Sequence, residues 1–413
     1  MKRLILYALA ASMICCNYSC NKEETPKNVE PFEPIELTVK QGEKADADNR
    51  FAFNIFREVS KESGANTFFS PLSLNMALGM LYNGASGETR SEMAEVLGMA
   101  DFTETEINEY YQKMSQALLK IDPLTEISIA NSIWYRDGFL VKQPFIDVNQ
   151  KYFDAMVKAL DFSKPDAAGI INKWCADKTK NRIKEIIESP IDGDVMMYLI
   201  NALYFKSKWQ FEFDKKNTKQ GDFTKTNGNK IRVNMMEQTT TLPYYADEYL
   251  QCVELPYGNQ AFSMVAILPE NDMDIDQLVE YLDNAKWQNI VENLYEQNIV
   301  LKLPRFKIEC EILLNEPVEN VGMQRIFQFQ NEFINIADAD LRVSKIKQKT
   351  FVEVNEEGTE AAAVTAIEMV FSSSGGGSVP PIPFFADRPF LYLIKEKSTG
   401  AILFIGRMDE PQE

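Results

Sequence analysis

Val352-Glu353-Val354-Asn355-Glu356-Glu357-Gly358-Thr359-Glu360-Ala361-Ala362-Ala363-Val364-Thr365 decides how this chain is read. A strand-like run stops at a flexible glycine, and small residues follow where a loop is ordinarily polar. A segment of Thr, three Ala and Val can pass into a sheet with no bulky side chain in the way. Strand side chains alternate with period 2, so Thr359, Ala361, Ala363, Thr365, Ile367 and Met369 would share an inner face. Glu360 and Glu368 would fall on the outer one. The segment is written for two places, outside as a loop and inside as a strand.

Three further blocks accompany it: Asn66-Thr67-Phe68-Phe69-Ser70-Pro71-Leu72-Ser73, Asn201-Ala202-Leu203-Tyr204-Phe205-Lys206-Ser207-Lys208-Trp209, and Asp387-Arg388-Pro389-Phe390 through Phe404-Ile405-Gly406-Arg407. With the hinge-like stretch they resemble the serpins, in that family's order, over roughly residues 46–409. Several motifs at the right separations make a stronger signal than one short expression. The resemblance implies an α+β serpin fold, about nine helices around three β-sheets. It also implies an exposed, insertable reactive-centre loop at about 356–386.

Composition agrees with one large domain. Of 413 residues 45% are apolar and 25% charged, and no Pro/Gly-rich linker divides the interior. Helical periodicity runs over 69–82, 88–97, 104–120 and 167–187; strand-like runs cover 196–205, 262–268, 299–307, 350–355, 389–396 and 401–407, the last two joined by a turn at Lys397-Ser398-Thr399-Gly400. Segregated helices and strands point to α+β rather than to alternating βαβ units.

Residues 1–19 read as a secretion signal, with Lys2 and Arg3 before an apolar stretch, Leu4–Ile14, too short to span a bilayer. Ser19-Cys20 resembles a lipoprotein cleavage box with Cys20 lipidated, although Asn17 stands where Leu is usual; ordinary signal-peptidase cleavage is the alternative. Cys20-Asn21-Lys22-Glu23-Glu24 resembles the export tag of Bacteroidetes surface lipoproteins. The expectation is a bacterial outer-membrane lipoprotein facing outward, with periplasmic or extracellular release as alternatives. Residues 20–45 then read as the lipidated N-terminus and a flexible tether.

Loss of residues 1–19 moves the formal charge from −18 to −20, which argues against nucleic acid or anionic polysaccharide as partner. Region 101–120 sets Lys113 and Lys120 against Asp101, Glu104, Glu106 and Glu109, so no heparin site is expected. A monomer is expected. Cys175, Cys252 and Cys310 are too few and scattered for a disulfide framework and read as buried free thiols.

The chain has no histidine, which removes Ser-His-Asp and Cys-His catalysis and most imidazole zinc sites. Ser344-Lys345-Ile346-Lys347 matches Ser-x-x-Lys without its companion motifs. Asp272, Asp274 and Asp276 have calcium-loop spacing, but Gln277 replaces the loop glycine and Asp283 the final Glu. No enzyme, metal or cofactor is expected.

The resemblance assigns the remaining roles. Serpins usually place a histidine in a polar cluster beneath the sheet opening; here Gln348 takes that position, with Ser70, Ser73 and Asn201. An amide both donates and accepts, so these four are expected to form one satisfied buried latch with no protonation switch. Glu356 is expected to pair with Arg305, and Trp209 to pack where the loop enters the sheet. The hinge comprises Glu356, Glu357, Gly358, Thr359, Glu360, Ala361, Ala362, Ala363, Val364 and Thr365. Counting onward from Glu356 puts the reactive bond at Ser372–Ser373, with Phe371–Ser372 as the alternative. The exit side carries a spacer, Ser374-Gly375-Gly376-Gly377-Ser378. No Lys or Arg lies between Lys349 and Arg388, which excludes trypsin-like targets, and no Asp between Asp340 and Asp387, which argues against caspase-type ones. A broad chymotrypsin-, elastase-, subtilisin- or papain-type target set is expected, trapped as an acyl-enzyme by a metastable fold. A non-inhibitory serpin is the competing reading. Bulky, charged or Pro residues between Ala361 and Ile367 would favour it, and none occurs.

Overall fold

The computed structural model describes residues 31–63, 66–270, 272–359 and 380–412. Among these, nine α-helices occur: α1 Val39–Ser63, α2 Pro71–Tyr82, α3 Gly87–Val96, α4 Glu104–Leu118, α5 Gln143–Phe153, α6 Ala167–Lys178, α7 Ile275–Tyr281, α8 Asn284–Glu292 and α9 Asn315–Asn320. The strands are β1 Thr67–Phe69, β2 Glu126–Arg136, β3 Met156–Leu160, β4 Met197–Lys208, β5 Lys219–Thr224, β6 Lys230–Ala246, β7 Leu250–Pro256 and β8 Phe262–Pro269. They continue as β9 Tyr295–Pro304, β10 Phe306–Leu313, β11 Lys347–Asn355, β12 Gly358–Thr359, β13 Ile382–Phe385, β14 Phe390–Glu396 and β15 Ile402–Met408.

The fold is α+β, with a six-stranded sheet ordered β10-β11-β12-β4-β2-β3. The rest form a nine-stranded path, β1-β15-β14-β8-β7-β6-β9-β13 with β5 on β6. Two of the three expected sheets are thus joined edge to edge, because the long β6 pairs with β9 and also meets β7 over Tyr244–Ala246. β14 and β15 are buried at every residue, as expected of continuous apolar runs covered on both faces.

Helix α2 starts sharply: Ser70 Oγ accepts from Ser73 N–H and Pro71 occupies the first turn, where its missing donor costs nothing. Nearly all of α2 is buried, and it packs behind β4 within the main core.

Two sequence expectations need correction. The tether does not extend to residue 45. Helix α1 begins at Val39, Lys44 and Ala45 are buried, and Ile35 N–H donates to Ser398 Oγ at 2.9 Å. The polar Lys44 reads as linker, yet its ammonium pairs with Asp48 and lies over the Tyr110 and Tyr111 rings. Likewise the helix expected over 167–187 ends at Lys178. Lys180 and Asn181 adopt positive φ, and Thr179 Oγ1 takes the Ile183 N–H, turning the chain out of the helix.

Candidate functional site

β4 and β11 do not pair with each other. Among the described residues they are linked by the two residues of β12: Gly358 and Thr359 lie opposite Asn355 and Val354 on one side, Lys208 and Ser207 on the other. No other described strand lies between β4 and β11, and the start of the hinge is seated at one end of this gap.

Each seated residue has a specific reason to be there. A Cβ on Gly358 (φ +150°) would lie 2.1 Å from Ser207 O and 2.7 Å from Lys208 Cα, backbone atoms that cannot swing aside. Thr359 is buried and its hydroxyl meets the Tyr257 hydroxyl at 2.5 Å. Tyr257 stacks on Trp209 with ring centroids 4.5 Å apart. Trp209 also holds the turn, its N–H donating to Glu357 O (3.0 Å) and its Nε1–H to Asn355 O (2.8 Å). Phe213 N–H donates to Glu356 O at 2.9 Å.

Glu356 is 1% exposed, and Arg305 Nε reaches its two carboxylate oxygens at 2.8 and 2.9 Å. Burial pushes the Glu356 carboxyl up, but the hydrogen bonds from Arg305 and Thr218 outweigh it and hold it below its ordinary value. Its neighbour Glu357 is buried too and pairs with Lys215 at 2.6 Å.

The expected four-residue latch is split. Ser70 N–H donates to Gln348 Oε1 (2.7 Å), Gln348 Nε2 donates back to Ser70 O (3.0 Å), and Ser70 Oγ caps Ser73. Asn201 stands apart: its Nδ2 donates to Asn131 Oδ1 at 2.6 Å, and its buried Oδ1 has no hydrogen-bond partner among the described residues. The cause is the gap, since Gln348 is on β11 and Asn201 on β4, its opposite lips. Removing the two-way Gln348 clasp should therefore loosen one lip only. Gln348→Ala is expected to lower native stability by about 1–3 kcal/mol, because a buried backbone N–H loses its partner. A urea midpoint equal to the wild-type value would contradict this.

Other sequence candidates have structural roles. Asp274 caps α7, and Asp276 pairs with Arg407 at 2.6 Å. Cys175 and Cys252 are buried and Cys310 half-buried, all free. Burial pushes the Cys175 thiol up to about 12 and that of Cys310 to about 11, with Cys252 also raised, so none is a ready thiolate at neutral pH. Residues Glu360, Ala361, Ala362, Ala363, Val364, Thr365, Phe371, Ser372, Ser373 and Cys20 lie outside the described residues. Sequence reasoning missed Tyr257, Thr218, Lys215 and Asn131. Their roles depend on partners far along the chain, and no local pattern marks them.

The six-stranded sheet, with Gly358–Thr359 bridging β4 and β11, sets the class of protein. The chain belongs to the serpin family: the model for Serpin (serine protease inhibitor) matches residues 46–411. Iripin-3 of Ixodes ricinus is 33% identical over 88% of this chain and 93% of its own length. An uncharacterised serpin-like protein of Methanosarcina acetivorans is 31% identical over 100% and 99%. Among solved structures, the thermophilic serpin tengpin in the native state superposes with a TM-score of 0.81 at 29% identity, covering 92% of this chain and 97% of that one. Human thyroxine-binding globulin complexed with its hormone gives 0.82 at 25%, covering 91% and 100%. Serpins are protease inhibitors, not catalysts, and the family acts by forming covalent complexes with target proteases.

Proposed function

We propose that this chain is an inhibitory serpin that traps serine proteases, and papain-like cysteine proteases, irreversibly. The observation that carries the reading is the seating of Gly358–Thr359 between β4 and β11, with no other described strand between them. Continued in the same register, the loop brings Thr365 opposite both Asn201 and Gln348, on the face they share. A Thr hydroxyl there would supply the donor that Asn201 Oδ1 lacks. The split latch is then the form that waits for a strand.

The target's nucleophile attacks the Ser372–Ser373 bond, or Phe371–Ser372, and forms an acyl-enzyme. Cleavage frees the hinge to run down the gap, gaining ladder hydrogen bonds on both edges and burying Ala361, Ala363 and Thr365. The attached protease is carried to the far end and distorted before water completes the reaction. The native fold is accordingly held by a kinetic barrier. Lys2, Arg3, the apolar run Leu4–Ile14 and Cys20 support display on a bacterial outer membrane through a lipid anchor.

Mixing the soluble domain with chymotrypsin, pancreatic elastase, subtilisin, papain and trypsin tests the reading on denaturing gels. A covalent band stable in SDS is expected with one or more of the first four and not with trypsin, and the released C-terminal peptide identifies the bond. Loop cleavage throughout with no such band would leave a non-inhibitory serpin.

A further inference from the structure

Where the β6–β7 turn meets α7 and α8 there is a cavity of about 260 Å³, lined by Asp247, Tyr281, Ala285, Lys286, Asn289 and Ile290. None of these residues belongs to the six-stranded sheet. The flank of α8 that meets α1 is a different one, marked by Gln288 Nε2 donating to Asp46 Oδ1 at 3.2 Å.

The walls are built and braced from both sides. Asp247 shapes the turn: its Oδ1 accepts the Tyr249 and Leu250 N–H groups at 2.8 and 3.0 Å, and Tyr245 donates its hydroxyl to Oδ2 at 2.9 Å. A carboxylate has about four acceptor positions, so Asp247 is held in place with one left over. Burial and the bond to Asp247 push the Tyr245 hydroxyl up to about 12, and it stays protonated at neutral pH. Tyr281 ends α7 and is braced by Tyr249, with ring centroids 4.9 Å apart. Lys286 Nζ lies 4.5 Å from the Tyr281 centroid and 3.1 Å from Asp283 Oδ2. Ile290 is buried, while Ala285 and Asn289 are exposed at the rim.

This lining selects by charge and by size. Asp247 opposes an anion and Lys286 opposes a cation. Neither is free to hold a full opposite charge, since Asp247 has one acceptor position left and Lys286 is already paired. An apolar ligand would strip water from these groups and give them nothing in return. The volume is just below the roughly 300–1,000 Å³ of drug-sized sites, room for one ring. We infer that the cavity is a binding site for a neutral hexose ring. Its hydroxyls donate to Asp247 and accept from Lys286 and Asn289, and its C–H surface lies against Tyr281 and Ile290.

The test is saturation-transfer NMR on the purified protein with the methyl glycosides of glucose, galactose and mannose. Transfer to the ring protons of at least one of them is expected. Ala285→Trp, at an exposed position where no packing is lost, should fill the cavity and abolish it. Tyr281→Ala and Asn289→Ala should each weaken binding about three- to ten-fold, the worth of one apolar or hydrogen-bonded contact. Tyr281→Phe keeps the wall, Gln288→Ala lies on the other flank, and both should bind as the wild type does. No transfer to any of the three sugars overturns the inference, as does transfer that survives Ala285→Trp. Tighter binding of L-leucine, a zwitterion of similar size, or of a heparin disaccharide also overturns it. No loop residue enters this test, so the strand-uptake reading stands or falls separately.

Discussion

Thr359→Arg is expected to turn the inhibitor into a substrate. Thr359 is 2% exposed and sits between Ser207 and Val354, with its hydroxyl against Tyr257. A guanidinium there must either stay buried against the Tyr257 ring, which stacks on Trp209, or keep the hinge out of the sheet. Leaving a charge buried and unpaired costs about 3–5 kcal/mol, which slows strand entry roughly a thousandfold. Deacylation does not depend on this side chain and would win the race. Gels should show complete loop cleavage, active protease and no covalent band. Thr359→Val is the milder test: it keeps the shape but strands the Tyr257 hydroxyl, at about 1–3 kcal/mol, so an intermediate yield of complex is expected. An undiminished band with Thr359→Arg would mean that this position does not enter the sheet.

Arg305→Leu should give the largest loss of native stability, with a pH dependence of definite sign. In the wild-type chain the folded carboxyl of Glu356 lies below its ordinary value of 4.5. Its contribution is therefore fully present above that pH and is lost as the pH falls through the lower, folded value. Without Arg305 the burial remains and the strongest partner is gone, which raises the carboxyl in the folded state and reverses the slope. The variant then loses stability as pH rises. Arg305 is about one-third exposed (32%), which discounts the full cost of a broken buried pair, so a deficit of about 2–3 kcal/mol is expected at pH 7, shrinking towards pH 4. Urea midpoints of both proteins across that range check it, and a deficit independent of pH would show that the ion pair is not what anchors Glu356.

How much of this was legible in the chain depends on the range of each interaction. The hinge shows in composition, because a run of small residues after a strand is a local pattern. The α2 cap shows for the same reason, as Ser70 and Pro71 act within one turn. Asn201 does not: its separation from Gln348 follows from β4 and β11 not pairing with each other, which no residue at either position records. Tyr257 is invisible because the ring it stacks on, Trp209, belongs to a distant segment. The start of α1 was hidden by Lys44, whose charge reads as solvated until Asp48 and two tyrosine rings are placed around it. The end of α6 was obscured by apolar residues such as Ile183 and Ile187, which continue a helical rhythm while packing as an irregular crossing segment.

The seated pair Gly358–Thr359 has a consequence for how a strand grows. Forming a new strand ordinarily begins with an unfavourable nucleus, in which chain entropy is lost before bonds accumulate, and with a choice of alignments. A slip of one residue would turn every small inward side chain to the wrong face and send Glu360 and Glu368 into the core. On the proposed reading both problems are solved before any protease arrives. The nucleus exists, its alignment is fixed by two pairings on each side, and what remains is propagation, one residue after another in the only phase that fits.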